Sequence, residues 1–111
     1  MLSSKKRLST TLFKEVILRG SIFHGTFSVL RCQNSQGISR FGVSVPKKVA
    51  KTAVSRNKIR RRVYSVIKSL ESGLISGKNV VIVMKAGSEK AHFEELNKET
   101  EKIFVKSGLL K

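Results

Sequence analysis

The sequence predicts an α+β domain in which three helices pack on a single mixed four-stranded sheet, in the order α-β-β-β-α-β-α. Three observations favour this fold class. Apolar residues recur at helical spacing in three segments, they alternate as in a strand over residues 40–45, and glycine or polar clusters separate the segments. A chain of 111 residues with 40% hydrophobic residues has the size of one domain, residues 1–111, with a modest core. The basic residues 1–8 are expected to be flexible before a partner binds.

The first helix is predicted between Ser9 or Thr10, either of which can cap it, and Gly20, which ends it. Its apolar residues have the spacing i, i+1, i+4 and i+5 and share one side: Leu12, Phe13, Val16 and Ile17. Two strands follow, at residues 21–24 and 26–32, on either side of Gly25.

The third strand is predicted at residues 40–45. The polar cluster at 34–37 resembles the turn of a hairpin that leads into it. Alternation places Arg40, Gly42 and Ser44 on one face, and Phe41, Val43 and Val45 on the other. Pro46, the only proline, ends the strand because it cannot donate to a ladder.

A long helix is predicted after Thr52, which can cap it. Its apolar residues fall at i, i+4, i+7, i+8 and i+11 and form one stripe: Ile59, Val63, Val66, Ile67 and Leu70. At about 100° per residue, the side opposite that stripe is expected to carry Asn57, Arg61 and Tyr64. Lys58 and Arg60 lie laterally, and Arg56 and Arg62 flank the apolar edge. One side of the helix should therefore dock on the sheet, while the other forms a cationic surface.

The last strand and the last helix complete the predicted fold. The strand is predicted at residues 79–85, and its continuous apolar run at 80–84 is typical of a central strand. The helix should start between Ser88 and Phe93, and its inward residues are predicted to be Phe93, Leu96, Thr100, Ile103, Phe104 and Ser107. Five of the seven acids lie in this region, and those on the helix are expected to form ordinary surface pairs with Lys98 and Lys102.

The charge balance indicates a polyanionic partner. Lys and Arg total 23 against 7 acids, with a formal net charge of +16, and residues 39–68 contain no acid. Self-repulsion of this size is usually tolerated because a polyanion neutralises it, and nucleic acid is the first candidate. An anionic membrane surface is the second candidate, but membrane signals are weak: the longest apolar run, residues 80–84, is far too short to span a bilayer.

The cellular compartment is expected to be the cytoplasm. The N-terminal residues carry charge but no apolar stretch or cleavage site of a secretion signal. A lone cysteine, Cys32, excludes an intramolecular disulfide and any multi-cysteine metal site, which fits a reducing compartment.

No catalytic side chain is predicted. The chain has no Asp, and neither His24 nor His92 has a partner at metal-ligand spacing. Its glycines do not form a phosphate-binding loop. We therefore expect no metal bound by the protein alone.

Binding is the remaining function, and residues 47–62 are the main candidates. They include eight cations: Lys47, Lys48, Lys51, Arg56, Lys58, Arg60, Arg61 and Arg62. A surface that served solubility alone would normally interleave acids, so contact with phosphates is favoured. Asn57 has no charge, and its amide suggests a directed hydrogen bond to RNA or to the strand-end backbone.

A second candidate surface combines the first helix with the third strand. Phe13 and Ile17 could join the face of Arg40, Gly42 and Ser44 in a groove with an apolar floor and a basic rim. Such grooves bind unstacked bases by stacking and by neutralising the backbone. The alternative is that Phe13 and Ile17 are simple core residues.

The stretch AVSRNKIRRRVY, residues 53–64, resembles the arginine-asparagine-arginine signature of bacterial ribonuclease P protein subunits. Arg7-Leu8, Phe13, the stretch RFGVSVPKK at 40–48, the stretch VVIVMK at 80–85 and the order of elements extend the resemblance over nearly the whole chain. Two positions depart from the family pattern. Tyr64 stands where the signature usually closes with an arginine, and Ile17 stands where a second aromatic residue is frequent.

The resemblance implies a ribonucleoprotein endonuclease of tRNA processing, in which an RNA subunit with bound magnesium performs the hydrolysis. The protein would bind that catalytic RNA and the 5′ leader of precursor tRNA, with no membrane and no protein partner. Arg56, Asn57, Lys58, Arg60 and Arg61 match the signature helix, and Phe13, Ile17 and Ser44 match the leader cleft. Lys47 and Lys48 match a basic pair beyond the cleft strand. The resemblance also implies an unusual left-handed crossover between the strands at 40–45 and 79–85, against the general rule.

Two other classes of protein are compatible with the charge and the size of this chain. A structural ribosomal or general RNA-binding protein would have no enzymatic role and no need for Phe13 or Ser44. DNA binding is less favoured, because no helix-turn-helix pattern surrounds residues 52–70.

Overall fold

The structure, a computed structural model, describes residues 4–110 and contains the predicted elements in the predicted order. The helices are α1 (Thr10–Arg19), α2 (Ala53–Ser69) and α3 (Phe93–Lys106). The strands are β1 (Ser21–His24), β2 (Ser28–Asn34), β3 (Arg40–Ser44) and β4 (Lys78–Met84). The α+β class with one mixed four-stranded sheet is thus confirmed.

The strand order in the sheet is β1-β2-β4-β3. β2 is antiparallel to both β1 and β4, and β3 is parallel to β4. The predicted hairpin at 34–37 is therefore wrong, because β4 lies between β2 and β3: Ile82 pairs with Leu30 on one side and with Val43 on the other. β4 is the most apolar strand, and the centre of the sheet is the place where both of its faces can be covered.

The helix α2 connects the parallel neighbours β3 and β4, which makes β3-α2-β4 a βαβ unit. The left-handed sense of this crossover stays a prediction. Thr52 caps α2 as expected, since its Oγ1 accepts a hydrogen bond from the amide of Ser55 at 3.1 Å. The apolar stripe is confirmed for its buried members, Ile59, Val63, Val66 and Ile67, and Leu70 is half-buried.

The main core lies between the sheet and the two helices α2 and α3. Phe104 of α3 is fully buried there, and its ring stacks on Phe41 of β3 with ring centroids 6.2 Å apart. The helix α1 covers the other face of the sheet, where Val16 is fully buried. At its C-terminal end a Cβ atom on Gly20 would lie 2.7 Å from the carbonyl oxygen of Val16 and 3.1 Å from the amide nitrogen of Cys32, so a larger residue would require the backbone to shift.

Two expectations for α3 are wrong. Phe93, predicted to point inward, is the first residue of the helix and remains 48% exposed. Glu99, predicted to pair with Lys102 on the surface, instead accepts a hydrogen bond from the amide of Phe27 at 2.7 Å and so anchors the β1–β2 turn. Among residues 4–110 the only ion pair joins Lys6 to Glu71, so the glutamates of α3 do not form the expected pairs.

Residues 4–8 lie along the outer edge of β3. The amide of Leu8 donates to the carbonyl of Phe41 at 2.9 Å, and Nε of Arg40 donates to the carbonyl of Lys5 at 3.2 Å. These bonds place residues 5 and 8 against β3, and the flexibility of the segment before a partner binds stays a prediction. Residues 1–3 of that prediction lie outside the described part of the chain.

Candidate nucleic-acid interface

The solvent-facing side of α2 carries the cations that the sequence predicts there. We call this surface the ridge and define it as Asn57, Lys58, Arg60 and Arg61. Lys58, Arg61 and Asn57 are exposed, and Arg60 is half-buried. No acid lies within residues 39–68, and the next one along the chain, Glu71, is paired with Lys6. The ridge therefore presents positive charge without a neighbouring carboxylate from its own helix.

Three lysines extend this charge to the N-terminal end of α2. Lys47, Lys48 and Lys51 are all exposed, whereas Val49 and Ala50 between them are buried. The buried pair anchors the loop, and the amide of Val49 donates to the carbonyl of Pro46 at 3.0 Å. The lysines thus project from an anchored loop next to a helix N-terminus, whose dipole adds to the positive potential.

Arg56 is partly used by the fold itself. Its Nη1 donates to the carbonyl of Ala50 at 3.1 Å and to the carbonyl of Lys51 at 2.9 Å. These bonds hold the loop of lysines against the first turn of α2. Arg62 is half-buried at the flank of the helix, as the spacing predicts for a side chain at the apolar edge.

Asn57 makes a hydrogen bond within the ridge. Its Oδ1 accepts from Nη1 of Arg60, one turn further along the helix. The partner within the protein is therefore a side chain of the ridge and not the strand-end backbone that the sequence suggested. This bond orients the guanidinium of Arg60 along the helix.

Tyr64 does not lie on the exposed side of α2, so its predicted placement is wrong. It is 6% exposed, and its hydroxyl oxygen accepts a hydrogen bond from the amide of Val43 at 3.3 Å. Around the helix axis, Tyr64 lies between the apolar stripe and the side opposite to it. From this position its long aromatic side chain reaches the neighbouring strand β3. Helical periodicity alone could not show this contact, because β3 comes from a distant part of the sequence.

The sheet face under α1 is organised in three rows of side chains that follow the strand register. The first row is Arg40, Asn79 and Gln33, the second is Gly42, Val81 and Arg31, and the third is Ser44, Val83 and Val29. Glu15 of α1 accepts a hydrogen bond from Gln33 at 3.4 Å, so that flank of the helix faces the first row. At 100° per residue, Phe13 and Ile17 lie on the opposite flank, toward the third row, and the ring of Phe13 lies over Gly42 of the second row.

Phe13 and Ile17 thus form a wall beside the third row, and we call this space the cleft. Phe13, Ile17, Ser44, Val29 and Val83 are all half-buried, so neither the wall nor the floor is fully covered. An open depression of about 310 Å³ on α1 is lined by two residues of this wall, Phe13 and Ile17, together with Lys14 and Leu18. The structure thus leaves these side chains partly open to solvent, and their role as a binding groove stays a prediction.

Gly42 makes the cleft possible. A Cβ atom at this position would lie 2.7 Å from Cδ2 of Phe13, so the ring lies directly on the glycine backbone. A glycine inside a strand often marks such a close approach, and this signal was present in the sequence.

The structure separates Arg40 from the rest of the predicted cleft. Arg40 is in the first row and Ser44 is in the third, about 13 Å apart along the strand at roughly 3.3 Å per residue. Gly42 lies between them and is covered by Phe13, while the Nε of Arg40 binds the carbonyl of Lys5. Arg40 and Ser44 are thus at opposite ends of one strand face, and a contact of Arg40 with the leader stays a prediction. Val29 and Val83 were not predicted beside Ser44, because their place in the third row depends on the register of strands distant in sequence.

Within the part of the chain that the structure describes, no three His, Cys, Asp or Glu side chains come together as a metal site. Burial raises the pKa of the Cys32 thiol, against a smaller opposite effect of Lys78, so Cys32 has the character of a structural strand residue. No helix between residues 4 and 110 has both the length and the apolar character that a membrane span needs.

Comparison with known proteins identifies the family. The family model described as ribonuclease P matches residues 2–108. A ribonuclease P protein component from Microcystis aeruginosa is 31% identical over 103 residues, which cover 88% of this chain and 86% of the relative. One from Syntrophomonas wolfei is 30% identical over 111 residues, with 98% and 92% coverage.

Solved structures share the fold. The RNase P protein of Staphylococcus aureus superposes with a TM-score of 0.85 at 20% identity, covering 96% of this chain and 98% of that one. The RNase P protein of Thermotoga maritima gives a TM-score of 0.76 at 19% identity, covering 85% and 90%. With the family model matching nearly its whole length, this chain belongs to the ribonuclease P protein family.

Proposed function

We propose that this chain is the protein subunit of ribonuclease P and that it promotes the endonucleolytic removal of 5′ leaders from precursor tRNA. The observation that carries the proposal is the joint presence of two surfaces on either side of one strand, β3. The ridge on α2 offers phosphate-binding charge, and the cleft under α1 offers an open apolar wall and floor. A general RNA-binding protein needs the first surface but has no need of the second.

In this proposal the ridge and the lysine loop bind the catalytic RNA. Their cations lie on a helix that is fixed to the sheet by a buried stripe, so phosphates meet a rigid array of charges. Arg56 would contribute less to RNA contacts than its neighbours, because its Nη1 already binds two carbonyls of the protein. Binding through phosphates is sequence-independent and weakens steeply with salt.

The cleft is proposed to bind the single-stranded leader. Phe13 offers a ring for a base, Ile17, Val29 and Val83 offer apolar contact, and Ser44 offers a hydroxyl. Stacking on an aromatic ring tolerates any base, which suits a leader whose sequence differs from one precursor to the next. Ile17 in place of a second aromatic leaves Phe13 as the single ring of the wall.

We further propose that the RNA subunit performs the catalysis with magnesium bound mainly by RNA. Magnesium prefers several oxygen ligands in octahedral geometry, and the carboxylates among residues 4–110 do not gather in that way. The protein's own contribution is to neutralise phosphates and to hold the substrate. A basic protein reduces the repulsion between RNA segments, so less magnesium should be needed for cleavage.

Reconstitution with the cognate catalytic RNA tests this function. Cleavage of a precursor tRNA at low magnesium should be faster with the protein than with the RNA alone. The gain should become smaller when the leader is shortened to a single nucleotide, because the cleft then has nothing to bind and only the neutralisation of phosphates remains. If the protein gave no gain, the proposal would be wrong. A gain independent of the leader would instead favour a general RNA-binding role.

The cleft makes a separate prediction for Phe13→Ala. Losing one stacking ring is expected to weaken binding of leader-bearing precursor tRNA by about tenfold, while binding of mature tRNA and of the RNA subunit is unchanged. Gly42→Ala should act in the same direction, because the new Cβ displaces the ring of Phe13. Phe93→Ala, a half-exposed phenylalanine on α3, is the matched control. An equal loss with mature tRNA would contradict a leader-specific cleft.

A further inference from the structure

The outer edge of β3 is closed by side-chain and backbone groups from two other parts of the chain. β3 is at the end of the sheet, so the backbone groups of Phe41 and Val43 that point away from β4 have no neighbouring strand. Leu8 covers the first position by donating its amide to the carbonyl of Phe41. Tyr64 covers the second by accepting the amide of Val43. This hydroxyl therefore replaces a strand partner at the residue immediately before Ser44.

Tyr64 also belongs to the flank of α2 that carries part of the ridge. At 100° per residue it lies within about 40° of Arg60, one turn before it, and within about 20° of Asn57, two turns before it. Asn57 and Arg60 are joined by a hydrogen bond, and Tyr64 is joined to β3. This flank thus connects the ridge to the strand that carries Ser44 of the cleft.

The chemistry of position 64 is specific. The amide of Val43 is a donor and needs an acceptor, which a tyrosine hydroxyl can supply. An arginine, the residue that usually closes the signature at this place, has five donors and no acceptor. An arginine at position 64 could add charge to the ridge but could not accept this hydrogen bond.

We propose that Tyr64 is a positioning residue that fixes the ridge against β3 beside the cleft, and that it does not contact RNA. The part of this inference that concerns the leader rests on the proposed function. Its hydroxyl holds Val43, and through the adjacent peptide it sets where Ser44 lies relative to Arg60. This chain therefore joins its two RNA-facing surfaces by a protein contact at a place where the signature usually has a charge.

The test uses Tyr64→Phe, which removes the hydroxyl and keeps the ring, with Ser65→Ala as the control that removes an exposed hydroxyl one residue later. In the free protein, exchange of the Val43 amide should be about tenfold faster in Tyr64→Phe, while the amide of Ile82 in the central strand changes less. In the reconstituted enzyme we define the leader gain as the ratio of the affinities for precursor tRNA with and without its leader. This leader gain should fall about three- to tenfold in Tyr64→Phe. Affinity for the RNA subunit and its salt dependence should match the wild type. Ser65→Ala should change none of these values.

Two results would overturn the positioning role. One is an unchanged Val43 exchange rate together with an unchanged leader gain. The other is weaker binding of the RNA subunit by Tyr64→Phe, which would make position 64 a direct RNA contact, or an unchanged leader gain in Tyr64→Arg, which has no acceptor for the amide of Val43. A wild-type enzyme with no leader gain would overturn the proposed function and the leader part of this inference. The exchange rate of the Val43 amide in Tyr64→Phe would still show whether the hydroxyl of Tyr64 protects that amide.

Discussion

Reversing two charges of the ridge, Lys58→Glu with Arg61→Glu, should weaken binding of the catalytic RNA by on the order of 100-fold at moderate salt. Both side chains are exposed, so the fold should tolerate the change. The slope of log affinity against log salt should become shallower by about 1.4 to 1.8, because each of the two lost phosphate contacts removes roughly 0.7 to 0.9. Equilibrium binding measured over about 50 to 400 mM salt gives both quantities.

The matched control reverses two exposed lysines on α3, Lys98→Glu with Lys102→Glu. The net charge changes by the same amount, but these lysines stand among the glutamates of α3 and outside the ridge. We expect a much smaller loss and a nearly unchanged salt slope. If both double variants lost affinity equally, binding would depend on total charge and the ridge would not be the interface.

Arg56 is unsuitable for this test even though it opens the signature. Its guanidinium holds the carbonyls of Ala50 and Lys51, so replacing it would release the lysine loop as well as remove a charge. Lys58 and Arg61 have no hydrogen bond to the protein among the described residues, and their loss reports on RNA contact more directly.

Replacing Phe104 by alanine should remove about 3 to 5 kcal/mol from the free energy of unfolding. Phe104 is fully buried and stacks on Phe41, so its removal leaves a cavity between α3 and β3. A domain of this size has a stability of about 5 to 15 kcal/mol, and this one also carries the self-repulsion of a +16 charge. Urea denaturation measures the loss. Added catalytic RNA should recover part of it by binding only the folded state.

Phe93→Ala is the control on the same helix. Phe93 is 48% exposed, so its replacement should cost less than about 1 kcal/mol. Similar losses for the two phenylalanines would contradict the placement of Phe104 in the core and of Phe93 at its margin.

Local patterns were sufficient for much of the fold and for the ridge. The stripe of α2, the Thr52 cap and the two faces of β3 follow from periodicities within one element, and the structure confirms them. The positions of Lys58 and Arg61 follow from the same helical geometry. The missing acids in residues 39–68 are a property of composition, which needs no structure to detect.

The sequence by itself therefore determined the order of the elements, the buried side of each helix and the segment that carries the charge. The tertiary structure alone decided that β4 enters between β2 and β3, which ruled out the hairpin and built the floor of the cleft from Val29 and Val83. It also decided the partners of Glu99 and Tyr64, which bind backbone amides of β-sheet segments distant in the chain. The physical reason is that periodicity describes neighbours within one element. Strand pairing and long side chains satisfy backbone groups far away in sequence, and no local pattern specifies which ones.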